Sequence, residues 1–243
     1  TRFISFSAIL YYLTFRFHVI CLRPETLSKF IVSIKRTLHV GIPATATNMI
    51  IPIVAAVIIS IIARYGNDAV AATNVATTIE ALSLVLFFAL SSVVGPFLGQ
   101  NLGAGNFARI EECIKITTIF CLVWGGLMAI LLALLATTMA TLFTDEPGIV
   151  KITTSYLLIV PISYGLYGLV MSVNAMFNSI GKPVPGVFIS TLRVFVLQLP
   201  LVYIAAQFYS LEIAFMFISI SNIIAGIVGY FWIKKALSEL KTL

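Results

Sequence analysis

The sequence contains six long apolar stretches, and their length limits the folds that the chain can adopt. Each is close to the roughly 20 residues that an α-helix needs to cross a bilayer. Hydrophobic residues make up 60% of the chain and charged residues only 10%, whereas a soluble domain carries about 25% charged residues. The sequence therefore predicts an all-α membrane protein with spans at 41–63, 69–101, 116–143, 152–179, 186–207 and 213–233.

The regions around these stretches divide the chain into four parts. Residues 1–15 are apolar and aromatic but too short to span a membrane unaided, so we expect them to be the tail of a truncated transmembrane helix. Residues 16–40 combine basic side chains with apolar ones at helical spacing, which favours a cytoplasmic amphipathic linker. The six spans fill residues 41–235, and residues 236–243 are predicted to form a cytoplasmic tail.

The positions of the charged residues indicate the orientation of the spans. Most of the lysines and arginines, such as Arg36, Arg109 and Lys235, fall in the loops on one side, and the loops on the other side are mainly acidic. Because positively charged loops face the cytoplasm, the linker and the C-terminus are predicted to be cytoplasmic. The net charge of +6 lies at helix ends and not along one folded face, which argues against a nucleic-acid partner.

One acidic side chain, Glu80, lies deep in the second apolar stretch. It lies ~18 Å along the helix from Asp68, near the middle of the hydrocarbon core. Acids at this depth are costly and are mostly kept for function. Thr73 and Thr77 share its side of the helix, so this stripe suits a Na⁺ ion, a proton or a cationic substrate. In the alternative reading Glu80 pairs with Arg193, the only basic residue well inside a span, which could also extend toward the membrane surface.

Prolines inside three spans predict broken helices. Pro52, Pro161 and Pro200 each free the carbonyl four residues earlier, and transporters place binding sites at such breaks, beside polar side chains. Asn48 is the polar candidate at the first break, and Asn222 lies inside the last span. The remaining candidates are the aromatic and adaptable side chains of the fourth span and one arginine of the fifth, which would line a substrate cavity: Tyr164, Tyr167, Met171, Asn174 and Arg193.

No catalytic arrangement is recognisable in the sequence. No nucleophile is grouped with a histidine and an acid, no span contains a pair of carboxylates, and there is no phosphate-binding Gly-Lys-Ser/Thr loop. The three cysteines, Cys21, Cys113 and Cys121, follow no disulfide or zinc spacing. We therefore expect a protein that is not an enzyme and that uses no cofactor, and no metal beyond a coupling ion (Na⁺, or else H⁺) near Glu80.

Several short motifs resemble those of the multidrug and toxic compound extrusion (MATE) transporters. The similarity covers nearly the whole chain from about residue 22, and the branch it resembles is that of the DNA-damage-inducible exporters, many of which carry an acid where Glu80 lies. The last of the following motifs is the most specific: Gly41-Ile-Pro43, Ala71-Ala-Thr-Asn-Val-Ala76, Asn174-Ala-Met-Phe-Asn-Ser-Ile-Gly-Lys182 and Gly99-Gln-Asn-Leu-Gly-Ala-Gly-Asn106.

The resemblance implies both a fold and a function. MATE transporters have twelve helices in two six-helix lobes, so this chain is expected to be the C-terminal lobe, preceded by the end of helix six. The N-terminal lobe of the same polypeptide would be its partner. The resemblance also implies an antiporter of the bacterial inner membrane, surrounded by lipid. It would export organic cations and other amphipathic compounds in exchange for Na⁺ or H⁺.

Two other functions stay open from the sequence. A lipid-linked sugar flippase of the same superfamily should line its cleft with several basic residues, whereas Arg193 is the only one inside a span here. A membrane assembly subunit without transport should show tightly packed small-residue faces, with Glu80 buried away from any cavity. The acids that some MATE transporters carry on the first and fourth helices of this lobe have no counterpart in 41–63 or 152–179, so the coupling ion also stays open.

Overall fold

The computed structural model describes residues 2–16 and 27–241, without the side chains of 2–5, 8, 27–29, 36–37 and 39–51. All of the described elements are helical, which confirms the predicted all-α fold. In chain order they are α1 (Arg2–Tyr11), a π-helical turn (Tyr12–Arg16), α2 (Leu27–Ile62), a 3₁₀ turn (Ala63–Tyr65), α3 (Asn67–Gly103), α4 (Phe107–Thr141), α5 (Pro147–Ile159), a 3₁₀ turn (Val160–Ser163), α6 (Tyr164–Ser179), α7 (Pro183–Thr191), a π-helical segment (Leu192–Gln198), α8 (Leu199–Phe208) and α9 (Leu211–Lys241).

The chain forms two units, residues 1–51 and residues 52–243. Within the described residues, five helical segments are long and apolar enough to cross a membrane, and all five lie in the second unit. They coincide with the last five predicted spans: α3, α4, α5 with α6, α7 with α8, and α9. The first predicted span, 41–63, falls within α2 and the 3₁₀ turn after it, and the apolar stretch Pro52–Tyr65 is its described part.

Helix boundaries differ from the predicted spans mainly where charged residues extend a helix. α4 begins at Phe107 instead of 116, and α9 continues to Lys241 instead of ending at 233. α2 begins at Leu27, inside the predicted linker. Hydropathy detects only the part of a helix that suits hydrocarbon. It does not detect the part of the same helix that continues past the hydrocarbon into water.

The glycine-rich motif Gly99–Asn106 is the end of a helix. The N–H of Asn106 donates to the carbonyl of Asn101 at 2.9 Å, and that of Gly105 donates to Leu102 at 3.0 Å. Gly105 has a φ of 69°, a left-handed conformation that glycine adopts without strain. This combination is a Schellman motif, which satisfies the last carbonyls of α3 and turns the chain into α4.

The motif at the end of α6 has the same geometry. Lys182 donates its N–H to the carbonyl of Phe177 at 3.0 Å, and Gly181 has a φ of 71°. Pro183 then opens α7, a position where its missing N–H leaves no bond unmade. Two of the motifs that resemble the MATE family are therefore helix ends.

Helix α6 lies at the centre of the second unit, where it packs against α3, α4, α7 and α9. It meets α4 where two glycines face each other, since a Cβ on Gly125 would lie 2.2 Å from the backbone nitrogen of Gly165. Gly168 likewise lies against Phe87 of α3, and Gly226 of α9 lies against α6. Helices in lipid associate through such small-residue contacts, which let the backbones approach closely.

Apolar side chains on the outer faces of α3 and α4 point away from this core. Leu82 is 71% exposed and Leu134 is 79% exposed, and other large apolar side chains are exposed along the same helices. Such an extensive apolar surface would aggregate in water, whereas lipid covers it at no cost.

Proline changes the winding of the helix between α5 and α6, as predicted. Pro161 lies in the 3₁₀ turn Val160–Ser163. The carbonyl of Ile159, just before this turn, accepts a hydrogen bond from the hydroxyl of Ser219 at 3.1 Å. A side chain of α9 therefore donates to a backbone carbonyl beside this turn, and a membrane interior favours such bonds. The carbonyl that the missing N–H of Pro161 leaves free is predicted to be that of Leu157, and this stays a prediction.

A second change of winding precedes Pro200. In the π-helical segment Leu192–Gln198, which joins α7 to α8, the N–H of Leu199 donates to the carbonyl of Val194, five residues earlier. Segments of this kind are uncommon and occur frequently at functional sites. This one carries Arg193.

Gly125→Ala is predicted to destabilise the protein, and Gly126→Ala is the matched control. A methyl group at Gly125 would collide with the backbone of α6, whereas nothing lies within 4 Å of a Cβ on Gly126. We expect the first change to cost about 1–3 kcal/mol, as overpacking does. The measurement is the midpoint of thermal unfolding of the purified full-length protein in detergent. Equal midpoints for the two variants would contradict the close helix contact.

Candidate functional site

The candidate site is built around the carboxylate of Glu80. Glu80 is partly buried and lies on α3, about 20 Å from the first residue of that helix at ~1.5 Å per residue. Among the described residues, it is the acid that lies deepest within a helix. The other acids of the described helices lie close to a helix end: Asp68, Glu111, Glu112, Glu212 and Glu239.

A tyrosine from the neighbouring helix α5 holds this carboxylate. The hydroxyl of Tyr156 donates a hydrogen bond to Oε2 of Glu80. The ring of Tyr156 is buried and packs edge-on against Phe215 of α9, with 4.9 Å between the ring centroids. Because the ring is buried and packed against Phe215, its hydroxyl is held at the carboxylate. A hydrogen bond to a charged group contributes ~1.5–3 kcal/mol.

The predicted threonines lie near Glu80 on α3 but do not bond to it. Thr73 is buried and donates its hydroxyl to the carbonyl of Ala69 at 2.7 Å. Thr77 is exposed and donates to the carbonyl of Asn74 at 3.1 Å. Both hydroxyls are therefore satisfied by their own helix, a common arrangement for threonine inside helices.

Arg193 is the centre of a second group of contacts, which joins four elements. Its Nη1 donates to Oδ1 of Asn222 on α9 at 2.9 Å. Asn222 in turn donates through Nδ2 to the hydroxyl of Ser163 in the 3₁₀ turn, also at 2.9 Å. The guanidinium carbon lies 4.4 Å from the centre of the Tyr167 ring, a cation–π contact.

Glu80 and Arg193 are close enough for their charges to attract each other, but they form no ion pair. No described carboxylate lies within ion-pair distance of Arg193, whereas an exposed pair joins Lys241 to Glu111. The direct pairing considered from the sequence is therefore not formed. Each charge is oriented by neutral partners of its own.

The other predicted cavity residues all lie on α6. Tyr164 is fully buried, and its hydroxyl has no hydrogen-bond partner among the described residues. Tyr167, Met171 and Asn174 are partly buried. Asn174 donates through Nδ2 to the hydroxyl of Ser190 at 2.8 Å, a contact between α6 and α7. Of these residues, Tyr167 contacts a charged group directly, since its ring lies against the guanidinium of Arg193.

The chain also matches known proteins over most of its length. A family model named MatE matches residues 43–204. The chain belongs to the MATE family of transporters. It is 31% identical over 203 residues to a protein named FAD transporter from Shewanella oneidensis, a match that covers 84% of this chain and 45% of that protein. It is 24% identical over 210 residues to the probable multidrug resistance protein YoeA of Bacillus subtilis, with the same coverage.

The fold agrees with MATE structures. The MATE transporter VcmN of Vibrio cholerae, in its bent form, superposes with a TM-score of 0.81 and 30% sequence identity. The match covers 90% of this chain and 49% of that chain. The resemblance drawn from the short motifs is confirmed, and the chain spans about half the length of the curated relatives it matches.

The sequence of this MATE chain predicts Glu80 and Arg193 as site residues. It does not predict Tyr156, which bonds to Glu80. Tyr156 lies three helical turns before Tyr167 at about 3.6 residues per turn, so tyrosine spacing in the fourth span could have pointed to it. Asn222 was a polar candidate without a known partner, and the structure supplies Arg193. The side chain of Asn48 lies outside the described residues.

The contact between Tyr156 and Glu80 can be tested with a double-mutant cycle. Tyr156→Phe keeps the buried ring and removes the hydroxyl, so we expect a loss of about 1.5–3 kcal/mol in the free energy of unfolding. In the Glu80→Gln background the loss should fall to roughly 1 kcal/mol or less, because the charged acceptor is gone. Thermal unfolding of the four proteins in detergent gives the coupling.

The control for this cycle is Tyr203→Phe, which removes the hydroxyl of an exposed tyrosine on α8. It should leave the unfolding midpoint nearly unchanged. If the losses from Tyr156→Phe and Glu80→Gln simply add, the hydroxyl does not act on the carboxylate.

Proposed function

We propose that the protein works as part of a cation-coupled antiporter, which exports organic cations and other amphipathic compounds in exchange for Na⁺ or H⁺. The observation that carries this proposal is the state of Glu80. Its carboxylate lies inside an apolar helix and is partly exposed, and no described cationic side chain pairs with it. A charge at such a position is costly unless a counter-charge arrives. A mobile cation can supply that charge.

Exchange follows from the use of one carboxylate by two ligands in turn. When a proton or Na⁺ is bound, Glu80 carries no net charge to attract a cationic substrate. When that ion leaves, the carboxylate attracts the substrate cation. Because both cannot occupy it together, their binding is competitive, and inward movement of the ion drives the substrate outward.

Na⁺ binding would use oxygen ligands. Among residues 2–16 and 27–241, no group of three or more His, Cys, Asp and Glu side chains could hold a metal ion. A Na⁺ ion at Glu80 would therefore be held by one carboxylate together with neutral oxygens, such as hydroxyl groups and backbone carbonyls. Na⁺ is a hard cation and is suited to such oxygen ligands.

The comparisons support transport without fixing the substrate. One relative is named for multidrug resistance and another for FAD transport. Since the chain spans about half of their length, we assign it to the C-terminal lobe, which works with an N-terminal lobe of the same polypeptide. We place that polypeptide in the bacterial inner membrane, with its C-terminus in the cytoplasm, on the charge asymmetry of the loops.

The two alternative functions fit the site less well. A flippase for pyrophosphate-linked sugars needs several basic residues at its binding site, and Arg193 is the only one well inside an apolar span of the described chain. A packing subunit would explain the glycine contact at Gly125 and Gly165, but it gives no role to a partly exposed carboxylate at this depth.

Glu80→Gln in the full-length protein is predicted to abolish coupled efflux. The amide keeps the size of the side chain and can still accept from Tyr156, but it holds neither a proton nor Na⁺. Cells producing the variant should accumulate ethidium to the level of cells without the transporter. In proteoliposomes, substrate movement driven by an imposed Na⁺ or pH gradient should disappear, and the gradient that drives the unmodified protein identifies the coupling ion.

The matched control is Glu112→Gln, which removes an exposed carboxylate near the start of α4. Its efflux and ion dependence should equal those of the unmodified protein. Unchanged efflux and unchanged ion dependence in Glu80→Gln would refute the proposal.

A further inference from the structure

The proposed coupling at Glu80 gives no role to the positive charge of Arg193. It lies well inside the apolar helical segment Pro183–Phe208. A guanidinium stays protonated under all physiological conditions, so it cannot escape the penalty of burial by losing its charge. No described carboxylate forms an ion pair with it. Glu80 attracts this cation without bonding to it, so an anion that bonds to the guanidinium would have to come from outside the described part of the chain.

Among the described residues, hydrogen bonds reach only one side of the Arg193 guanidinium. Nη1 donates to Asn222. Nε is buried and has no hydrogen-bond partner among the described residues. The Nε–H points along the same edge of the group as one N–H of Nη2, and this edge grips two oxygens of a carboxylate or a phosphate at once.

The orientation of this edge is fixed before any ligand arrives. The ring of Tyr167 lies against one face of the guanidinium. Asn222 holds Nη1 and is itself anchored to Ser163 in the neighbouring 3₁₀ turn. A long arginine side chain normally loses much rotamer freedom on binding, and here much of that loss has already occurred.

We infer that Arg193 is an anion-recognition site of the transporter, which binds a carboxylate or phosphate group of the substrate through Nε and Nη2. The inference rests on the proposed function, because it concerns the substrate that Glu80 exchanges for an ion. It assigns the residue that recognises the oxyanion of substrates that also carry a cationic centre. Glu80 attracts the cationic centre and Arg193 binds the oxyanion.

Two pairs of dyes, each differing in a single group, test this inference. The first pair is a rhodamine as its methyl ester, a cation, and as the free carboxylate, a zwitterion. The second pair is riboflavin and its monophosphate, which differ by one phosphate and test binding of an oxyanion without a cationic centre. Dissociation constants are measured on the purified full-length protein in detergent, so the result does not depend on a working ion gradient.

Arg193→Gln should weaken binding of the carboxylate and phosphate forms roughly tenfold to a hundredfold, the loss expected for charge-assisted hydrogen bonds. Binding of the methyl ester should stay the same or tighten slightly, because a repelling positive charge has gone. This ester also reports whether the variant is folded. Arg193→Lys keeps the positive charge but cannot donate two parallel hydrogen bonds. Its affinity for the carboxylate and phosphate forms should therefore lie between those of the unmodified protein and Arg193→Gln.

Arg109→Gln is the matched control. Arg109 is exposed near the start of α4 and, like Arg193, lies over an aromatic ring, with its guanidinium carbon 6.0 Å from the centre of the Phe97 ring. This change should leave all four dissociation constants unaltered. If only the rhodamine pair responds to Arg193→Gln, the site takes carboxylates, and if only the flavin pair responds, it takes phosphates.

Three outcomes would overturn the inference. The first is that the unmodified protein binds neither the rhodamine carboxylate nor riboflavin monophosphate. The second is that Arg193→Gln leaves all the constants unchanged. The third is that it weakens binding of the ester as much as binding of the carboxylate and phosphate forms, as a purely structural role would. Each is separable from failure of the proposed function, which is decided by efflux of a plain cation in Glu80→Gln.

Discussion

The contact between α4 and α6 at Gly125 and Gly165 is the feature on which the rest of the second unit depends. In lipid, apolar side chains gain nothing by leaving the solvent, so helices are held together by close packing and hydrogen bonds. The two glycines let the backbones touch, and this fixes the broken helix formed by α5 and α6 at the centre. The site depends on that helix, since Tyr156, Ser163 and Tyr167 all lie along it.

Two opposite charges inside the helices are stabilised by separate sets of neutral groups. A tyrosine hydroxyl bonds to Glu80, and an amide and an aromatic ring orient Arg193. Neutral partners fix the direction of a charged group without cancelling its charge. Both groups therefore keep the ability to attract a ligand of opposite sign, which a mutual ion pair would have removed.

The length of the apolar stretches was enough to predict the five spans that the structure describes, and Glu80 could be chosen as a candidate because a lone acid in such a stretch is conspicuous. The ends of α4 and α9 could not be predicted from hydropathy, since both helices continue into charged sequence. The bond from Tyr156 to Glu80 could not be predicted either, because it depends on how α5 packs against α3. Likewise, the hydrogen bond from Ser219 to the carbonyl of Ile159, beside the turn that contains Pro161, forms only through tertiary packing.

The π-helical segment Leu192–Gln198 makes the position of Arg193 depend on the local winding of the helix. Glu80 lies on α3, which is α-helical throughout Asn67–Gly103. Arg193 lies where each turn holds more residues than an α-helix does. Converting such a turn to α-helix only exchanges one backbone carbonyl for its neighbour, yet it rotates the side chains that the turn carries. The direction of the Arg193 side chain therefore depends on the winding of one seven-residue segment, while Glu80 lies on a continuous α-helix.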